Sequence, residues 1–289
     1  MNSTALALVI TGATFHALWN LCAKKASGGL PFVWLFGVVS LVVSFPFGLS
    51  AWQANSAQLD VQAWLAVAAS GVVHLAYSLV LQKGYRESDF SIVYPLARGT
   101  GPLFAVLGAI VVLGEMPTLA GWLGILAILS GIFLISGATQ AFLVPSPKAR
   151  AGLFWGITTG LFIAAYTVID GWAIKALGIA PVLYYVLVLT LRTLILAPQA
   201  LRAPQGLCAE WRANRPYIIA VGILSPLAYT LVLFAMQIAP LSYVAPIREL
   251  SMLLGVLFGA KLLRESLTPS RAIGTACMVA GVFMLTRAA

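Results

Sequence analysis

The chain has 289 residues, of which 61% are hydrophobic and only 9% charged, with 17 Lys and Arg against 8 Asp and Glu. A water-soluble domain of this make-up lacks the polar material to cover its surface, so the solvent around it is largely lipid. The formal charge of +9 does not point to nucleic acid, because most basic residues stand singly at the ends of apolar runs, as topology signals do, and do not cluster on one face.

A helix needs roughly 20 apolar residues to cross the hydrocarbon core. Apolar runs between turn signals predict ten spans, near 4–23, 30–52, 61–82, 90–113, 118–137, 151–173, 180–201, 216–238, 241–262 and 268–287. The first run has neither the basic segment nor the small-residue cleavage site of a secretory signal and reads as a retained span. The longest polar-leaning links are 138–150 and 202–215. Cys22, Cys208 and Cys277 have no metal-ligand or disulfide spacing and read as small core residues. Neither a metal nor a cofactor is expected.

At a constant offset of 150 residues, Lys25 falls on Lys175, Gly28 on Gly178, Pro31 on Pro181, Glu115 on Glu265, Thr118 on Thr268, Gly124 on Gly274 and Gly131 on Gly281. The chain is therefore read as a tandem duplication: a first five-span repeat over 1–137, a linker over 138–150 and a second repeat over 151–289. Five is odd, so the second copy enters the membrane upside down. The expected fold class is an all-α membrane protein of ten transmembrane helices in two inverted repeats, with a site near the midplane between them. Twelve basic residues fall on one side and two on the other, Lys175 and Arg287, while Arg98, Arg192 and Arg248 lie within spans. The positive-inside rule then makes the first side cytoplasmic and leaves both termini outside.

Ionisable groups inside a bilayer are expensive and mark either function or pairing. In span 1, His16, Trp19 and Asn20 share a face, and Tyr166 and Asp170 repeat that spacing in span 6. Asp170, near a predicted helix end, is read either as a solvated or capping group or as a coupling site. Span 3 carries His74 and Tyr77, and its counterpart, span 8, carries Tyr229. Arg192, in the middle of span 7, corresponds to Val42 and either lines the cavity or snorkels toward an interface. Spans 5 and 10 have no interior charge and carry glycines seven apart, which assigns them to the periphery as scaffold or homodimer contact.

The strongest local signals are Tyr94-Pro-Leu-Ala-Arg98 and Ala245-Pro-Ile-Arg-Glu249. Pro95 and Pro246 each remove a backbone donor inside a span, so both are candidate hinges. If Glu249 pairs with one arginine, the other is left to bind a carboxylate or phosphate. Alternatively, Glu249 takes up and releases a proton as a coupling site, or Arg98, Arg248 and Glu249 only lock spans 4 and 9 together.

The His-Ala-Leu-Trp-Asn run at 16–20 with Lys24 and Lys25, Tyr94-Pro95, Ala245-Pro246 and the Gly-Glu-Met-Pro-Thr and Arg-Glu-Ser-Leu-Thr segments before spans 5 and 10 resemble, in order and spacing, the EamA-type members of the drug/metabolite transporter superfamily. The resemblance implies a secondary carrier or exporter of small metabolites with a central cavity in the bacterial inner membrane. Some ten-span relatives are drawn with both termini in the cytoplasm, opposite to the charge count. Small multidrug pumps of that superfamily couple to protons through a glutamate in span 1, and this span 1 has no acidic residue. The arginines favour an amino acid or another carboxylate-, phosphate- or phosphonate-bearing substrate. The alternatives are a proton-coupled exporter of cationic or aromatic compounds and a flippase for lipids or lipid-linked sugars. No hydrolase or metalloprotease motif suggests an enzyme.

Overall fold

In the computed structural model, residues 1–26, 29–55, 59–136, 146–254 and 269–288 are described, and among them the chain is helical with no strand. The helices are α1 (Ser3–Ala26), α2 (Leu30–Asn55), α3 (Val61–Glu87), α4 (Phe90–Leu113), α5 (Leu119–Ser136), α6 (Pro147–Lys175), α7 (Pro181–Leu201), α8 (Pro204–Ile238), α9 (Leu241–Arg248) and α10 (Pro269–Arg287). Eight of these are long and apolar enough to cross a membrane, and α5 is a shorter apolar helix. With no water in the hydrocarbon layer, each backbone N–H and C=O must be satisfied within its own helix, which is why such a chain is helical throughout.

Two starts differ from expectation. The predicted linker ends early, because Ser146 caps α6, its Oγ accepting from Ala149 N at 3.0 Å, and Pro147 takes the first turn, where its missing N–H costs nothing. The 202–215 link is also helical, because α8 begins at Pro204 and runs on through Pro216. Its early part is mostly exposed and includes Cys208, which is therefore a surface thiol and not a core residue.

The halves interlock. Helix α1 packs on α8, α2 on α7 and α8, and both α3 and α4 on α6, so nearly every main seam joins one repeat to the other. Large apolar side chains such as Val42, Phe45, Leu79 and Val111 are exposed on the outside, as befits a lipid-facing belt. Helices α5 and α10 pair with each other away from the centre, glycine against glycine. A Cβ on Gly131 would come within 2.5 Å of Gly274 O, and one on Gly124 within 2.9 Å of Gly281 O. These small faces let two backbones touch. They are consumed inside one chain, so they do not offer the homodimer contact that the sequence suggested.

Helix α4 stays continuous through Pro95 and Pro102. Helix α9 does not: after Pro246 the regular ladder stops at Arg248, Glu249 N turns back to Pro246 O at 3.0 Å, and helix resumes at 250. All eight residues of α9 are buried, so this break lies in the middle of the protein. Glu265 and Thr268, which the duplication pairs with Glu115 and Thr118, lie outside the described residues.

Packing at the α5–α10 seam makes a sharp prediction. Gly131→Ala should lower thermal stability in detergent by about 1–3 kcal/mol through overpacking. Gly206→Ala, whose Cβ would find only Ala203 at 3.9 Å, should be neutral or stabilising by helix propensity. Equal melting shifts for the two would contradict the backbone contact.

Candidate functional site

A cavity of about 210 Å³ lies between the repeats. His16, Trp19 and Asn20 face it from α1, His74 and Tyr77 from α3, Tyr94 and Arg98 from α4, Tyr166 and Asp170 from α6, Tyr229 from α8 and Arg248 from α9. Every residue that the sequence singled out for substrate contact therefore meets in one space. Glu249 does not line it, being fully buried behind Arg98 and Arg248. The wall extends well beyond the arginine-bearing segments of α4 and α9. Helix α7 contributes the most wall, with Tyr184, Tyr185, Arg192 and Thr193 among its residues, and α2 adds Trp34 and Ser40. Sequence reasoning passed over α2 and α7, because apart from Arg192 their cavity faces are aromatic, aliphatic and hydroxyl side chains that look like ordinary core.

Two buried charge systems hold the wall. In the first, Arg98 Nη2 lies 2.8 Å from Glu249 Oε2 and donates to Ser251 Oγ at 3.1 Å, while its guanidinium sits 5.9 Å from the centre of the Tyr94 ring. Arg248 Nε is 3.8 Å from the other oxygen of Glu249. The break in α9 brings this about, since Arg248 ends the helix and Glu249 turns toward α4. At an offset of 150 Arg98 falls on Arg248, and at 151 on Glu249; in space, Arg98 is the partner of Glu249.

In the second, Asp170 is wholly buried and accepts hydrogen bonds from Ser70 Oγ at 2.5 Å, Tyr184 hydroxyl at 2.7 Å and the Tyr229 hydroxyl. A carboxylate offers about four acceptor sites, so three hydroxyl donors largely satisfy it. The expectation of a solvated or capping Asp170 is overturned: it joins α6 to α3, α7 and α8. His74 belongs to the same cluster, its Nδ1 lying 2.9 Å from Ser70 O and its ring stacked on Tyr166 at 3.9 Å. On α1, His16 meets Trp19 edge to face at 4.9 Å, and Asn20, which is exposed, donates to His16 O at 2.7 Å. Among the described residues no group of three His, Cys, Asp or Glu side chains could hold a metal ion.

On the face that carries both termini, where the N-terminal amine donates to Thr286 O at 3.1 Å, a separate lock closes the bundle. Gly114, in the left-handed region at φ 66°, ends α4 and turns the chain so that Glu115 reaches the start of α9. Its carboxylate accepts from Leu241 N at 2.7 Å and Ser242 N at 2.8 Å, satisfying donors that a helix start leaves orphaned. Lys175, at the end of α6, lies 3.6 Å from Glu115 and donates to Met236 O at 3.2 Å and Ala239 O at 2.8 Å at the end of α8. The sequence held the clue, since both residues recur in the duplication, but showed only that they repeat.

A cavity walled in part by arginines inside an interlocked, inverted-repeat helical bundle defines a multi-pass membrane protein with an internal space between its repeats. A sequence profile of the EamA-like transporter family matches twice, over residues 3–137 and 150–287, and the chain belongs to that family. It is an integral membrane protein that transports a small molecule. No curated protein matches it. Among solved structures, one titled only as the crystal structure of a protein has a TM-score of 0.74 at 16% identity, covering 99% of this chain and 98% of that one, and it shares the fold.

Two measurements test these contacts. Arg98→Gln, which leaves Glu249 buried with only the longer contact to Arg248, should destabilise by about 3–5 kcal/mol, whereas adding Glu249→Gln should recover most of that loss. A double variant as unstable as the sum of the singles would mean that the two groups are not coupled. Glu115→Ala should speed hydrogen exchange of a peptide spanning Leu241 and Ser242 at least about tenfold, since each lost charge-assisted bond is worth about 1.5–3 kcal/mol, with α5 peptides unchanged.

Proposed function

We propose that this protein moves a small metabolite bearing an acid group, an amino acid or another carboxylate-, phosphate- or phosphonate-bearing molecule, across the bacterial inner membrane by alternating access. The observation that carries the reading is the charge of the cavity wall: among the described residues, Arg98, Arg192 and Arg248 face it, against one acid, Asp170. Arg98 is balanced by Glu249, and Asp170 is occupied by three hydroxyls, so Arg192, and Arg248 with only its longer 3.8 Å contact to Glu249, can meet an anion. Guanidinium binds carboxylate or phosphate through two parallel hydrogen bonds, which supplies orientation as well as affinity. The cavity of about 210 Å³ is smaller than the roughly 300–1,000 Å³ of drug-sized sites, which favours a metabolite over a lipid or lipid-linked sugar.

The two inverted repeats, taken as 1–137 and 151–289, would exchange roles about the site, with Pro95 and Pro246 as hinges. The face locked by Glu115 and Lys175 is the closed one, and the exposed Asn20 marks the way in from the opposite, basic face. Coupling has its best support at Glu249, because its partners Arg98 and Arg248 also line the cavity and an incoming acid group competes with it directly. Asp170 is the second coupling candidate. A proton is the proposed coupling ion.

One observation favours a second reading. The wall is rich in aromatic side chains, with Trp19, Trp34, Tyr77, Tyr94, Tyr166, Tyr185 and Tyr229 all facing the cavity, and such a lining also suits cationic or aromatic compounds.

Reconstituted protein separates the two. Counterflow uptake of radiolabelled L-alanine or inorganic phosphate into proteoliposomes should be saturable, and Arg248→Ala should reduce it about tenfold or more, the loss expected from one charge-assisted pair. Uptake of tetraphenylphosphonium with no uptake of either acid-bearing probe would replace this reading with the second. Glu249→Gln should flatten the dependence of uptake on an imposed pH gradient while leaving exchange in its absence.

A further inference from the structure

Resting on the acid-bearing reading, we infer that Arg192 of α7 is the anchor of the substrate's acid group, so that the anion sits to one side of the pseudo-symmetry axis, against α7. The three cavity arginines are not equivalent. Arg98 has Glu249 at 2.8 Å and Ser251 at 3.1 Å. Arg248 shares the same carboxylate at 3.8 Å. Arg192 has no carboxylate within ion-pair distance among the described residues, and its buried Nε has no hydrogen-bond acceptor there. It also stands near the middle of α7, Pro181–Leu201, too far from either end to reach the interface easily. A lone cation at that depth is costly, and the cavity is what it faces.

Its surroundings are built to hold it still. Thr193, the next residue, donates from Oγ1 to Leu189 O at 2.8 Å, and its own carbonyl accepts from Trp34 Nε1 at 3.2 Å, which ties α7 to α2 beside the cavity. A Cβ on Gly37 of α2 would lie 3.3 Å from Thr193 Oγ1, so the two helices touch there with little room to spare. The duplication offers no equivalent: Val42, at the matching position, is 67% exposed on the lipid-facing surface. A group that one repeat has and the other lacks, with no carboxylate partner among the described residues, suits the two oxygens of a carboxylate or phosphate.

The test is ligand-induced thermal stabilisation of the purified full-length protein in detergent, titrated with L-alanine, inorganic phosphate and L-alaninamide, whose acid group is replaced by a neutral amide. Wild type should be stabilised by L-alanine or by phosphate, which separates the two acid classes, and not by alaninamide. Arg192→Gln should raise the half-saturating concentration at least about tenfold, and Arg192→Lys, which keeps the charge but loses the two-pronged fork, should fall between. Without ligand, Arg192→Gln should melt no lower than wild type, because it removes a half-buried intramembrane charge that has no carboxylate partner among the described residues; this also shows that the variant folds. Unchanged titration in Arg192→Gln together with a lost shift in Arg248→Gln would overturn the role of Arg192 and leave the acid-bearing reading standing. A wild type stabilised by neither anionic probe would overturn both.

Discussion

A charged side chain in the middle of a bilayer must find either a partner or a cavity, and the rest of this structure is arranged around that constraint. Arg98, Arg192, Arg248, Asp170 and Glu249 lie deep in the chain, and all of them lie in or directly behind the wall of one space. The outer surface is correspondingly apolar. Because a polar group cannot be left facing lipid, the helices that carry these residues are forced inward, and α5 and α10, whose interiors have no charge, are left to pair at the side.

The two repeats share a plan but not its details. Their shared plan brings α1 against α8 and α3 against α6. Their differences concentrate at the cavity. Asp170 stands where the first half has Asn20, and only Asp170 is caught in a web of hydroxyls, while Asn20 is exposed. Helix α6 presents Gly152, Gly156 and Gly160 to α4, where a Cβ on Gly156 would meet Leu96 Cβ at 2.7 Å. The corresponding residues are Asn2, just before α1, and Leu6 and Ile10 within it, which cannot pack as closely. A carrier that opens on two sides needs its two seams to be similar, and one that discriminates between substrates needs its walls to be dissimilar. On the alternating-access function proposed above, this chain divides those requirements between its backbone plan and its side chains.

Much of the site was legible because membrane burial makes a polar residue conspicuous. His16, Asn20, His74, Arg98, Asp170 and Arg248 stand out from apolar surroundings in the sequence alone, and all of them line the cavity. Residues with two ordinary explanations were not legible. Tyr184 and Thr193 read equally well as core, and Glu115 sits in a connecting segment where acids are commonplace; only its contact with the start of α9, more than a hundred residues away, shows what it does. The glycines of α5 and α10 mark faces that pack closely, but hydropathy says nothing about which surface such a face will meet, a neighbouring helix or a second copy.

From the sequence by itself came the number of helices, their approximate limits, the duplication and hence the inversion of the second half, because each of these follows from length, apolarity and repetition along the chain. Tertiary structure alone decided which arginine Glu249 takes, that Asp170 is a buried hub and not a capping group, and that Arg192 faces the cavity with no carboxylate partner among the described residues. Those outcomes depend on distances of a few ångströms between helices far apart in sequence, and a one-dimensional pattern carries no such distances.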